Sequence, residues 1–208
     1  MRAFIYVGGE ILKDNITEHP KGDDITIAAD SGYKNARALG ERVDTVVGDM
    51  DSYDGDIEDG TELIRLKPEK DITDTQAAFE IAVDRGAKEI YIIGGLDGRL
   101  DHTLSNLYML EDAWARGLHV QITNGYNRVR YIKNDSTLLG RSGYRYFGLI
   151  AADEAVRGVE IQGAKYPLKN AKLKRCVPGL TVSNEIEGNC AFISVKKGGV
   201  FIIESDPR

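Results

Sequence analysis

Short apolar runs that stop on glycine or aspartate, with helical patterns between them, recur through the first 125 residues. AFIYVGG (3–9), ITIAAD (25–30), DTVVGD (44–49), EIYIIGG (89–95) and HVQITN (119–124) read as buried strands. Helix patterns occupy 31–40, 74–85 and about 100–116, closing at Gly40, Gly86 and Gly117. Glycine takes the left-handed cap at a helix C-terminus without steric cost. A chain that alternates strand and helix in this way has few ways to bury itself. The expected result is a mostly parallel sheet covered by helices.

Beyond residue 125 the texture changes. NRVRYIKN, STLLG, YRYFGLIAA, VRGVEIQG, CAFISVKK and GVFIIES are short, β-branched or aromatic, and separated by Gly, Asn or Asp. None sustains a helical period. The expectation is therefore a Rossmann-like α/β/α domain over 1–125, followed by a small antiparallel β-sandwich or barrel-like domain over 126–208. KLKR (172–175) reads as a solvated loop, and Trp114, Leu107 and Leu110 as core.

Bulk properties exclude several classes. A net charge of −6 over 208 residues lacks the basic stripe of a nucleic-acid binder. No stretch approaches the roughly 20 apolar residues of a membrane span, and the N-terminal apolar run is short for a secretory signal. Cys176 and Cys190 have no metal-site spacing and read as packing thiols in a reducing compartment. A cytoplasmic location is expected.

In an open parallel sheet, ligands bind beyond the carboxyl ends of the strands. That is where this sequence puts its acids. The second strand runs into Asp30, and the third into GDMDS with Asp49 and Asp51. In KDITDTQAAFEIA, Thr73 and Gln76 have capping-box spacing, which sets Asp74 in the first helical turn and Asp71 just before it. The strand at 89–93 runs into GGLDGRLDHTLSN, delivering Arg99, Asp101 and His102. Each junction has a plain reading as a cap or turn. Together they bring carboxylates to one rim, where holding them ionised requires a counter-charge. Mg²⁺ takes oxygen ligands and keeps waters that a phosphate can displace. The expected site is Mg²⁺–phosphate, with Asp49, Asp51 and Asp74 as metal ligands. The sequence contains no P-loop, dinucleotide fingerprint, kinase motif set, H-E-x-x-H or G-x-S-x-G. The residues by themselves lead to metal-dependent phosphate chemistry on an α/β rim.

GDMDS, KDITDTQAAFEIA, GGLDGRLDHTLSN and SNEI together, in this order, resemble the thiamin pyrophosphokinase family over nearly the whole chain. The resemblance implies transfer of a pyrophosphoryl group from ATP to the hydroxyl of thiamin, giving thiamin diphosphate and AMP. It implies Asp49, Asp51 and Asp74 as magnesium ligands, and Asp30, Ser31 and Gly32 at the nucleotide. It places Arg99 and Asp101 near the phosphates, with His102 where some relatives carry Gln. Asp71 or Asp101 would orient the thiamin hydroxyl or accept its proton. Ser183 and Asn184 match an element close to the thiamin pyrimidine across a homodimer interface. Some relatives follow that element with an aromatic residue; here Glu185, Ile186 and Glu187 follow. The rival readings are a pterin pyrophosphokinase and a non-catalytic sensor of thiamin diphosphate or a nucleotide.

Overall fold

The computed structural model describes residues 1–49, 56–67 and 71–206. The chain divides into two compact units, Met1–Gly125 and Tyr126–Arg208. In the first unit, β1 (Arg2–Tyr6), β2 (Ile25–Ala29), β3 (Thr45–Gly48), β4 (Glu62–Arg65), β5 (Glu89–Ile93) and β6 (His119–Thr123) are joined by three helices. These are α1 (Gly32–Leu39), α2 (Asp74–Asp84) and α3 (Leu100–Ala115). The strand order is β4-β3-β2-β1-β5-β6, and every pairing is parallel.

Ala3, Phe4, Ile5 and Tyr6 are all inaccessible to solvent, so both faces of β1 are covered. Phe4 and Tyr6 pack with Ala28, Val46 and with Tyr33 and Ala36 of α1. Burial pushes the Tyr6 phenol far up from its ordinary value. Helix α2 packs against β1, β2 and β3, and α3 against β6. The helices end as the glycines require: Gly40, Gly86 and Gly117 have φ of 75°, 90° and 71°.

The second unit is antiparallel. Its strands are β7 (Asn127–Lys133), β8 (Ser136–Gly140), β9 (Tyr146–Ala151), β10 (Ala155–Gln162), β11 (Leu168–Lys174), β12 (Cys190–Lys197) and β13 (Gly199–Ser205). They form one sheet in the order β7-β13-β9 and another in the order β11-β10-β12-β8. Ala191, Ile193 and Val195 of β12 point inward with the strand period of two. On β10 the alternation breaks where Gly158, at φ 66°, marks a register shift against β11. This is the signature of a bulge built on a glycine.

Three expectations need correction. Lys172–Lys174 belong to β11 rather than to a loop, with Leu173 buried. Both cysteines are exposed free thiols, so neither is a packing residue. Of the expected core side chains on α3, Leu110 is buried while Leu107 and Trp114 are half-buried.

Candidate active site

The chain lays β1, β2, β3 and β4 outward in one direction and then returns to place β5 on the other side of β1. The connections therefore diverge between β1 and β5, leaving a crevice at their carboxyl ends. A pocket of about 460 Å³ lies there, within the size range of small-molecule sites. Val7, Gly8 and Gly9 line it from the end of β1, and Gly95, Asp97 and Arg99 from the end of β5.

Six residues expected from sequence line this pocket: Asp30, Ser31, Asp49, Asp74, Arg99 and His102. Asp30 follows β2 in the left-handed region, with φ 48°, and its amide donates to Val47 O at 2.9 Å. The helix cap falls on Ser31 instead, which makes no side-chain capping bond. Asp74 opens α2 because Thr73 caps that helix, its Oγ1 accepting from Gln76 N at 3.1 Å. The spacing in the sequence predicts this bond.

Gly32 is buried and does not line the pocket. A Cβ there would sit 2.0 Å from Tyr6 O and 2.7 Å from Val7 Cα. Glycine is required so that α1 can start directly against the end of β1. Both obstacles are backbone, so Gly32→Ala should lower stability by about 2–3 kcal/mol, as overpacking does. Urea unfolding measures this; an unchanged midpoint would contradict the packing described.

Arg99 and Asp101 face one another in a bidentate pair, Nε to Oδ1 at 3.2 Å and Nη2 to Oδ2 at 2.6 Å. Both are largely exposed. Hydrogen bonding from Arg99 holds the Asp101 carboxyl below the usual carboxylate range. Asp101 Oδ1 also accepts from His102 N at 3.0 Å at the start of α3. Asp101 and Asp71 lie outside the pocket lining, and Asp71 is exposed on the bend before α2. Asp51 lies outside the described residues.

In the second unit, Ser183 is exposed with φ 58°. Asn184 is buried: its Nδ2 donates to Tyr166 O at 2.9 Å, and its Oδ1 accepts from Tyr166 N and Glu185 N at 3.0 Å. Those bonds fix the turn that presents Ser183.

The donor set suits a hard divalent cation. Asp30, Asp49 and Asp74 offer carboxylate oxygens, and Asp30 Oδ1 is buried without a hydrogen-bond partner among the described residues. No group of three or more His, Cys, Asp and Glu among the described residues converges closely enough to enclose a metal by itself. Mg²⁺ binds with few protein ligands, completing its shell with water and phosphate.

Supporting residues that motif reading passed over are also visible. Asn35 Nδ2 donates to Val7 O at 2.7 Å and Gly9 O at 3.0 Å. Buried Asn106 donates to Gly95 O at 2.9 Å. The signal was the Gly-Gly pair ending both the first and fifth strand: backbones that close expose carbonyls that a nearby amide side chain must satisfy.

Residues 18–122 match the family model for the thiamin pyrophosphokinase catalytic domain, and residues 133–200 match that for its vitamin B1 binding domain. This chain belongs to the thiamin pyrophosphokinase family. It is 27% identical over 138 residues to a thiamine pyrophosphokinase of Bacillus subtilis, a stretch covering 66% of this chain and 64% of that protein. The aligned stretch thus falls just short of two thirds of the relative's length. The crystal structure of a Bacillus subtilis thiamine pyrophosphokinase superposes with a TM-score of 0.86 at 22% identity, over all of both chains. That of a Geobacillus thermodenitrificans thiamin pyrophosphokinase gives 0.84 at 25% identity, over 100% of this chain and 98% of the other. Among the described residues no helix is long and apolar enough to cross a membrane.

Proposed function

We propose that this protein transfers the pyrophosphoryl group of ATP to the hydroxyl of thiamin, releasing AMP. The observation that carries this reading is the crevice between β1 and β5 of a thiamin pyrophosphokinase family chain, where residues that follow β1, β2, β3 and β5 and residues that open α2 line one pocket. The match of residues 133–200 to a vitamin B1 binding domain weighs against a pterin acceptor.

In the reaction, the thiamin hydroxyl oxygen bonds to the β-phosphorus while the bond from that phosphorus to the oxygen bridging to the α-phosphate breaks. The bridging oxygen leaves with AMP. The protein's work in such transfers is positioning and charge stabilisation. Asp49, Asp51 and Asp74 would hold Mg²⁺, which supplies positive charge against the triphosphate and the departing AMP. Asp30, Ser31 and His102 would contact the nucleotide. Gly32 supports them by letting α1 sit directly on β1. Arg99 presents a planar donor fork that exchanges Asp101 for phosphate oxygens. Once Arg99 has turned to the phosphates, Asp101 is released, and Asp101 or Asp71 would orient the thiamin hydroxyl and take its proton. Ser183, on its fixed turn, would meet thiamin, with Asn184 holding the turn. In this reading the two antiparallel sheets of the second unit form a sandwich, and the protein is a cytoplasmic homodimer.

Incubation with ATP labelled at the β-phosphate tests the substrate. Label should move to thiamin and not to a hydroxymethyl pterin offered in parallel. Label in the pterin, or in neither, would refute the reading. Sedimentation should give twice the chain's mass; an active monomer at all concentrations would exclude the dimer.

A further inference from the structure

The rim loops after β1 and β5 approach each other backbone to backbone. Gly95 N donates to Gly8 O at 3.2 Å, and a Cβ on Gly94 would lie 2.3 Å from Val7 O. One side chain spans the two loops at their outer end. Asp97 Oδ2 accepts from Glu10 N at 2.8 Å. Its other oxygen, Oδ1, is buried without a hydrogen-bond partner among the described residues and is seated against Gly9, where a Cβ would come within 2.1 Å of it. Gly9 has φ 107°, a conformation other residues rarely adopt. Gly9 and Asp97 both line the pocket. An Asp in GGLDGR reads from sequence as one more turn residue, but this carboxylate reaches out of its own turn to the opposite wall.

We infer that Asp97 is a positioning residue for nucleotide binding: its carboxylate latches the Gly8–Glu10 loop to the β5–α3 loop and so sets the width of the crevice that receives the triphosphate. The inference rests on the proposed use of this pocket by ATP. The latch works through the geometry of one acceptor rather than through charge in the pocket. Asn keeps that acceptor, with its amide group taking the place of one carboxylate oxygen; Ala removes it. Asn35 holds the inner part of the loop in either case.

The test compares Asp97→Ala and Asp97→Asn in the full chain. Losing a hydrogen bond to a charged group corresponds to about tenfold or more in an equilibrium constant. Asp97→Ala should therefore raise the KM for MgATP about tenfold, with kcat and the thiamin KM within about threefold of the parent. Asp97→Asn should restore most of the MgATP KM. The Glu10 amide should exchange its hydrogen faster in Asp97→Ala but not in Asp97→Asn, a readout that needs no substrate. A parent-like MgATP KM and Glu10 exchange in Asp97→Ala would overturn the inference. So would Asp97→Asn as impaired as Asp97→Ala, since the charge and not the latch would then matter. If the parent itself forms no AMP from thiamin, the reading of the activity fails. The latch is then judged by Glu10 exchange and by calorimetric titration with MgATP, where unaltered binding by Asp97→Ala overturns it.

Discussion

Asp74→Asn should reduce turnover at least about 100-fold, the scale of losing one key electrostatic group in an active site. The substitution keeps shape and removes the charge. Folding should survive, because Thr73 continues to cap α2 through Gln76 N. The substitution removes an acid from the first helical turn, where a charge is worth about 0.3–1 kcal/mol against the helix dipole, and Asn keeps a side-chain oxygen in its place. The expected signature is therefore a nearly unchanged thermal midpoint with activity almost abolished. Steady-state kinetics beside a thermal melt separates the two. An Asp74→Asn protein with near-parental turnover would remove Asp74 from the metal site.

The second large effect lies far from this chemistry in sequence and concerns stability. Glu204 on β13 is 2% exposed and carries a full charge complement around it. Arg128 meets it in bidentate fashion, Nε to Oε2 at 2.7 Å and Nη2 to Oε1 at 2.6 Å. Arg130 Nη2 donates to Oε2 at 3.1 Å, and Ser142 Oγ to Oε1 at 2.7 Å. The register of β13 against β7 places Glu204 opposite Arg128, so the pairing is built into the sheet. Burial already pushes the Arg130 guanidinium down from its ordinary value, against the pull of Glu204. Its Nε is buried without a hydrogen-bond partner among the described residues. Glu204→Ala leaves two poorly solvated guanidinium groups beside each other. Removing one side of a buried ion pair costs about 3–5 kcal/mol. Urea unfolding should show a loss of that size. A loss under about 1 kcal/mol would mean that solvent reaches the arginines well enough to replace the carboxylate.

The central strands were legible because full burial on both faces writes itself as an uninterrupted apolar run, as in β1. The helix ends were legible because Gly40, Gly86 and Gly117 have few other reasons to occupy those positions. Two strands left no such trace. β4, Glu-Leu-Ile-Arg, and β11, Leu-Lys-Asn-Ala-Lys-Leu-Lys, are edge strands of their sheets and bury little. Edges favour charge and lysine, which conceals them from any search for apolar alternation. Glu62 of β4 is held below the usual carboxylate range by Arg85, a partner 23 positions away that no local pattern announces.

The pocket was legible in outline for a related reason. Strand ends are marked in the sequence, and a parallel sheet sends all of them to one rim. Asp30, Asp49, Asp74, Arg99 and His102 could be placed there without coordinates. Asp97 could not, because its function depends on which loop faces it, and that follows from β5 lying beside β1. Asn184 shows the converse. The sequence alone left it between a turn and a ligand-binding role; its amide is committed to Tyr166 and Glu185, and the neighbour Ser183 is the exposed residue of the turn.

AMP release from ATP and thiamin, followed with and without Mg²⁺, tests whether a metal held at the rim drives the transfer. One AMP should form for each thiamin diphosphate when Mg²⁺ is present, and almost none once the ion is chelated. AMP formation unaffected by chelation, or its absence with all three components present, would contradict this.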